Sequence, residues 1–456
     1  MTRPQRAWIA ATAVGVVWIW AASWLTAFDP LLGLGFGVLP VAAFLLIKFS
    51  WVRLVTIVGG GMFVLGSSSD LSAGKIVYAV LISFCALISG WRLIDRPPPF
   101  ALFFRPLVWW GVAFAFVLFL SYLSSPGGSD FGTFGRQSLF YVLVILGPVV
   151  GLDAGRDMKP AVVYSLIGLT GTIAAVGFAL DWLDRRGVTA LPVGRVVLSS
   201  LVLPGFAFGL AIVLFFFSIR LWQRALWLAP LFAIPISMLV TGTRTNLIIF
   251  LAAPAVMGRI KNSRIPPIRL IVLIVAAGAV GVVLFPLIAT IVIAEPGFIQ
   301  TRVQAVLLVL SGSAEADQSF AGRTEQYALA AEMISRSPFL GYGLGYPIPF
   351  TIDSPLLSVV RLGWLGVATI AGFLAALSMA VWRSARGAGR SPAHTAWWAF
   401  VVVILANIPF GTPLEDRGFG FTIMLATMAL ASALTATGSA SSRSIRPPQD
   451  VIAERT

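Results

Sequence analysis

The sequence predicts an all-α polytopic membrane protein of about 14 transmembrane helices, within a range of about 12 to 14, with both termini cytoplasmic and one large external loop carrying a short amphipathic helix. Three observations predict it. The 456 residues are 58% hydrophobic and only 11% charged, with a mean hydropathy of +0.93. Globular domains carry about 25% charged residues, so this chain uses lipid as solvent. Charge-free windows recur along its whole length, and an Asp, Lys or Arg at a helix centre costs about 2.5 to 3.5 kcal/mol on insertion scales. The basic residues, finally, fall unevenly on the two sides that alternating windows define.

The windows are 7–28, 30–47, 54–69, 76–91, 106–129, 137–152, 160–180, 196–219, 225–243, 245–258, 270–294, 362–382, 395–414 and 418–442. Most approach the ~17 to 25 residues that span ~30 Å of hydrocarbon. The window 245–258 falls short. It is either completed by residues before Arg244 or is a broken half-helix lining a cavity. The first window, about 22 residues long, exceeds a signal-peptide core and reads as a retained helix. The expected organisation is helices 1 to 11 over 1–294, the external loop at 295–361, helices 12 to 14 over 362–442, and a Pro/Ser-rich disordered cytoplasmic tail at 443–456.

Placing the N-terminus inside puts 21 of the 32 Lys and Arg residues on the inner side. The inner side then carries +16 and the outer side −2, within the total of +14. This is the positive-inside asymmetry. The high pI is therefore a topological signature, and no nucleic-acid partner is expected. Joining 225–258 into one helix would turn the Arg259 to Arg269 cluster outward, against the rule. A single cysteine, Cys85, permits no intrachain disulfide, and a single histidine, His394, rules out a multi-histidine metal site.

Function is sought in the loop at 295–361, which is out of scale with connections of about 4 to 15 residues elsewhere. Its run RTEQYALAAEMISR at 323–336 predicts a helix with Tyr327, Ala331 and Ile334 on one face, ended by Pro338 and followed by the tight turn GYGLG at 341–345. A short helix lying on the membrane surface is the simplest picture. The glycines are not a dinucleotide site, because no strand precedes them and no helix opens on them.

The run AGRTEQYALAAEMISRSPFLGYGLGYPIP at 321–349, followed by DSPLLSVVRLGWLG at 353–366, resembles the large external loop and next helix of the O-antigen ligase and Wzy-type polymerase superfamily. Upstream, TGTRTNLIIFLAA at 241–253 resembles that family's second signature, an outward arginine between two short helices. The resemblance covers roughly 200 residues of the second half. It implies membrane glycosyl transfer on the outer face of the plasma membrane, from a polyprenyl-pyrophosphate-linked glycan, with the lipid pyrophosphate as leaving group. A metal-independent reaction with no cofactor is implied.

The residues suit that chemistry. A departing pyrophosphate needs its charge neutralised, and arginine offers bidentate donors without deprotonating. Ten of the eleven outer cations are arginine. The pyrophosphate candidates are Arg244, Arg323, Arg302 and Arg361. Arg244 could instead be a snorkelling anchor, and Arg302 and Arg361 could pair with loop carboxylates. Arg323 is read as opening the loop helix, where a cation opposes the dipole. Arg336, near that helix's end, suits capping, and Arg185 and Arg186 form a solvated cluster with Asp181 and Asp184.

An acceptor hydroxyl must also lose its proton. Ligases of the superfamily carry a histidine just before the helix that here begins near Pro355, where this chain has Thr351, Ile352 and Asp353. His394 lies on the cytoplasmic side. The departure favours a polymerase over a ligase. Asp353 is the base candidate, with a helix N-cap as its alternative. Glu325 follows, with a first-turn dipole role as its alternative. Glu415 and Asp416, in the last external loop, are solvated or bind the acceptor. The leading reading is a polymerase extending lipid-linked repeat units; the second is a ligase passing a finished glycan to another acceptor. A transporter or flippase of lipid-linked oligosaccharide would place ionisable residues at midplane, which these windows lack. A chain-length-regulating membrane partner stays open.

Overall fold

The computed structural model describes residues 30–65, 72–98, 101–123, 130–184, 202–217, 221–241, 318–348, 356–388, 391–408 and 412–444, with Ser23, Ser125, Leu198 and Ser200 as isolated positions. The windows 7–28, 245–258 and 270–294 lie outside the described residues or nearly so. Helices make up the regular structure, and no strand occurs among the described residues. They are α1 (Pro30–Lys48), α2 (Ser50–Val64), α3 (Ala73–Asp95), α4 (Ala101–Leu123), α5 (Phe131–Asp157), α6 (Pro160–Asp184), α7 (Val202–Phe217), α8 (Leu221–Thr241), α9 (Gln318–Arg336), α10 (Leu356–Ala388), α11 (Pro392–Asn407) and α12 (Phe419–Ser444). A 3-10 turn, Pro413–Glu415, precedes α12.

Among the described residues six of these helices are long and apolar enough to cross a membrane: α3, α4, α5, α6, α10 and α12. The flanks of α3 and α4 present Leu87, Trp91, Trp109 and Phe116 outward. Such side chains suit lipid, where no water has to be displaced from them. The chain divides into two units, Met1–Arg53 and Leu54–Thr456. In the first, α1 holds no first-turn acid, ends on Lys48, and the buried Arg53 donates to the carbonyls of Leu46 and Ile47.

The second unit is built around α12. Its window Phe419–Ala436 is 89% buried, against 28% for α3. The most extensive helix pairing is α12 with α5, followed by α10 with α4. The α5–α12 seam is a stripe of glycines four apart, Gly147, Gly151 and Gly155. A Cβ at Gly151 would stand 2.3 Å from the Met424 carbonyl oxygen, and one at Gly155 would stand 2.3 Å from that of Met428. Backbones thus touch directly, the arrangement that apolar surroundings favour because close van der Waals contact replaces the hydrophobic effect. Gly147 meets Met424 and Gly155 meets Met428 and Ala431, so the two helices run parallel. Conversely α10 runs antiparallel to α4, with Gly366 against Val117 and Gly372 against Trp110.

Each end of the unit is tied by polar groups. At one end Arg92 reaches Asp157 at 3.0 Å and Asp153 at 3.4 Å, while Arg156 lies 3.6 Å from Asp153. This fixes the last turn of α3 to that of α5. Ser432 of α12 donates to the Met158 carbonyl at 2.7 Å beside it. The opposite end gathers the end of α2, the starts of α5, α7, α10 and α12, and the segment 337–348. It is the end that holds the candidate residues Arg361, Glu415 and Asp416.

Two expectations about the loop helix are corrected. α9 begins at Gln318, five residues before Arg323. Gln, Ala and Arg are good helix formers, and one Gly costs only about 1 kcal/mol in such a run. Its packed face is centred on Ala330, with Met333 and Ile334 beside it, whereas Ala331 is exposed. The cause is that α9 packs on α10 and on Tyr342 rather than lying by itself. α12 also continues to Ser444, and 445–456 lie outside the described residues.

Candidate functional site

The site is organised by a break in α10. Gly363 has φ +64 and ψ 179, non-helical values inside an otherwise continuous helix. A helix would donate from Trp364 to Val360 and from Leu365 to Arg361. Here Trp364 N–H donates instead to the Pro338 carbonyl at 2.9 Å and Leu365 N–H to that of Phe339 at 3.1 Å. The carbonyls of Val360 and Arg361 in turn accept from the N–H groups of Tyr342 at 2.8 Å and Gly343 at 2.9 Å. The strap 338–343 therefore takes all four backbone groups that the break releases. Buried backbone groups must be paired, and this strap pairs them.

The sequence PFLGYGLG is what the splice needs. Gly341, Gly343 and Gly345 all have positive φ, a region that costs other residues energy. At Gly343 a Cβ would stand 2.4 Å from the Ser121 carbonyl oxygen. The strap is held from α4 and α5 as well. Ser125 donates to the Tyr342 carbonyl at 2.6 Å, and Gln137 accepts from Gly345 N–H at 2.9 Å. Asp130 N–H donates to the Gly345 carbonyl at 3.3 Å, while the Asp130 carboxylate caps α5 by accepting from Thr133 N–H at 2.6 Å. The Thr133 side chain and backbone hold the Asp130 carboxyl below its ordinary value of 3.8.

Two residues before the break stands Arg361. Its guanidinium Nη1 is paired with Glu415 Oε2 across from the 3-10 turn. The other carboxylate oxygen, Oε1, accepts from the Tyr141 hydroxyl at 2.9 Å. Three separate elements, α5, α10 and the turn before α12, thus meet at one carboxylate. The pair is mostly enclosed, with side-chain exposures of 18% for Arg361 and 15% for Glu415, so its electrostatics are less screened than at an open surface. Arg361 Nε is buried and has no hydrogen-bond partner among the described residues.

Asp416 is employed differently. It accepts from the Ser200 hydroxyl at 2.6 Å and from Gly418 N–H at 2.7 Å, with Val202 N–H at 3.4 Å. It therefore caps the start of α7 and the approach to α12 together. Arg417 donates to the Leu65 carbonyl at 3.1 Å, at the end of α2. Neither Glu415 nor Asp416 is a freely solvated loop carboxylate.

The structure brings together three of the residues singled out in the sequence, Arg361, Glu415 and Asp416. Glu325 is exposed on α9, in its second turn, where the first-turn dipole argument does not apply. The same holds for Arg323, whose backbone lies in α9 past its first turn. Arg244, Arg302 and Asp353 lie outside the described residues. Arg336 pairs with Glu332 at 2.5 Å on the surface of α9. His394 completes a capping box with Ser391 at the start of α11. Sequence reasoning passed over Tyr141 and Ser200. Tyr141 carried a signal, a lone hydroxyl in the apolar run LFYVLVILG, since a buried tyrosine hydroxyl needs a partner.

A family model described as O-antigen ligase matches residues 229–356. The match contains Arg244, Arg302, Arg323, Glu325, Asp353 and the strap, and stops short of Arg361, Glu415 and Asp416. No curated protein matches the chain. The family match supports the O-antigen ligase and polymerase superfamily and, with the apolar helices, a multi-pass membrane protein of the glycan ligase or polymerase kind.

Proposed function

We propose, with that family match as premise, that the chain is a glycan polymerase of the plasma membrane. It extends oligosaccharide repeat units carried on polyprenyl pyrophosphate, at the extracytoplasmic face. In this reading about 14 helices span the bilayer, both termini are cytoplasmic, and 295–361 is external. The observation that carries it is the O-antigen ligase match over 229–356, the stretch that includes the strap and four of the outer arginines, Arg244, Arg302, Arg323 and Arg336.

The chemistry assigned to each residue follows from charge. Arg244, Arg323 and Arg302 neutralise the pyrophosphate as its bond to the glycan breaks. Asp353, or Glu325 in its stead, removes the proton of the attacking hydroxyl. The acceptor repeat unit is held near Glu415 and Asp416. No metal is required, because the arginines take the leaving group's charge. A ligase is the second reading, favoured by the match to an O-antigen ligase family; the absence of a histidine before Pro355 favours the polymerase.

The test is the lipid-linked glycan pool after deletion of the gene, sized and assigned to a leaflet. Single repeat units accumulating on the outer leaflet are expected. Long glycans still on lipid would assign a ligase, and single units held on the inner leaflet would assign a flippase. At the residue level, Arg244→Lys and Arg323→Lys are each expected to cut glycan assembly at least about tenfold, because lysine keeps charge and loses the bidentate fork. Full assembly by both variants would remove them as phosphate contacts. Asp353→Asn with undiminished activity would remove the base.

A further inference from the structure

We infer that Glu415, Arg361 and Tyr141 form a charge-neutral subsite for the hydroxyl groups of a sugar, with Tyr141 as its positioning residue. The inference rests on the proposed glycan chemistry and reassigns Arg361 within it. Arg361 stands among the arginines that could meet pyrophosphate, but its charge is cancelled at contact by Glu415. A cancelled cation has little to offer a dianionic leaving group. It has much to offer a hydroxyl.

The geometry points to this through one atom. An arginine laid side-on against a carboxylate uses two parallel N–H donors on its two oxygens. Here only Nη1 is engaged with Glu415, on Oε2, while the Tyr141 hydroxyl donates to Oε1 at 2.9 Å. Nε is left buried without a partner among the described residues. Leaving such a donor unpaired costs about 1 to 3 kcal/mol, more for a charged group. A fold that needed the pair for stability alone would gain by turning Nε onto the carboxylate as well.

What remains is a fixed array of donors and acceptors. A carboxylate has about four lone-pair sites, of which Arg361 and Tyr141 use two. The guanidinium retains donors besides the one on Glu415. A sugar ring's neighbouring hydroxyls are each donor and acceptor, so one can donate to Glu415 while the other accepts from the accessible part of the Arg361 guanidinium. A phosphate, having only acceptors at neutral pH, would face the carboxylate with repulsion. The array is also rigid. Arg361 is fixed by the splice at Gly363, Tyr141 by its ring packing edge-on to Phe114 at 5.7 Å, and Glu415 by the turn whose neighbour Asp416 caps α7. Rigid placement of this kind reduces the entropy lost on binding.

The test uses the full chain in lipid nanodiscs and two probes. One is the oligosaccharide released by mild acid from the source cell's own lipid-linked pool, which lacks pyrophosphate; the other is inorganic pyrophosphate. Binding of each is measured for the wild type, Glu415→Gln, Arg361→Lys and Tyr141→Phe. Glu415→Gln and Arg361→Lys are expected to raise the oligosaccharide Kd about tenfold, and Tyr141→Phe about threefold, the scale of one lost hydrogen bond. The pyrophosphate Kd is expected to stay within about twofold in all three. Tyr141→Phe keeps the ring and its packing, so it decides the matter should either charge variant fail to fold. Weakened pyrophosphate binding with unchanged oligosaccharide binding would make Arg361 a phosphate ligand and overturn the subsite. Unchanged binding of both probes would leave an internal ion pair only, and overturn it equally. A wild type that binds the oligosaccharide but does not join repeat units, with the variants weakened as expected, would sustain the subsite and refute the polymerase reading.

Discussion

Gly363 is the residue on which the strap and α10 both depend. With φ at +64 and a Cβ that would stand 2.1 Å from the Phe339 carbonyl oxygen, alanine cannot be placed there without moving the strap. Gly363→Ala is expected to cost more than about 2 kcal/mol and to expose the peptide bonds of 338–345 to protease. A thermal midpoint and cleavage pattern equal to the wild type would contradict the splice. Asp130 offers a second test at this scale, with a defined sign. Its carboxyl is held below its ordinary value of 3.8 in the folded chain. The cap therefore contributes fully above that value and is lost as pH falls through the lower folded value. Protection from hydrogen exchange at the first turn of α5, taken relative to the intrinsic rate at each pH, should fall on acidification in the wild type, and Asp130→Asn should remove that dependence; identical slopes would deny the cap its role. The sequence shows GYGLG as a turn, but not that the N–H groups of Tyr342 and Gly343 complete another helix at Val360 and Arg361. The partner of a backbone group is set by tertiary approach, which no local propensity encodes. Tyr141 and Glu415 are 274 positions apart for the same reason.

Helix against helix, the α5–α12 seam is the contact where volume matters most. Gly151→Val would put side-chain atoms where the Met424 carbonyl and the Thr427 hydroxyl stand, at 2.3 and 2.4 Å from the first added carbon. Loss of folded protein in detergent is expected, a cost of about 3 kcal/mol or more from forced overpacking. Leu87→Ala on α3, 73% exposed, is the matched control and should change the midpoint little. Equal behaviour of the two variants would count against the seam. Most helix positions are legible as charge-free windows, since the cost of burying charge is local and additive along the chain. The start of α9 and its packed face are less so. Read as a lone helix, 323–336 offers Tyr327, Ala331 and Ile334; packed against α10 and Tyr342, the face turns to Ala330 and Met333.

Across the unit Leu54–Thr456, polar groups hold the two ends while glycine and apolar contact hold the middle. Asp153 is the fully buried member of the cluster with Arg92 and Arg156. Asp153→Asn is expected to lower stability by about 2 kcal/mol, below the range for a fully enclosed pair because Arg92 and Asp157 remain part-exposed. A midpoint unmoved at low salt would show that Asp157 alone suffices. The charge asymmetry that assigns sides is legible from composition, because it is a sum over loops. Which loop charges are spent on one another is not, as Arg361 and Glu415 illustrate. The deepest helix of this unit, α12, is also the last of the described helices to leave the ribosome. Its predecessors therefore enter the bilayer with the glycine seam of α5 still facing lipid, and a waiting groove must be shielded until α12 arrives. A chain cut before Phe419 would leave that groove open for good, so quality control in the membrane has to judge this protein by whether α12 has docked.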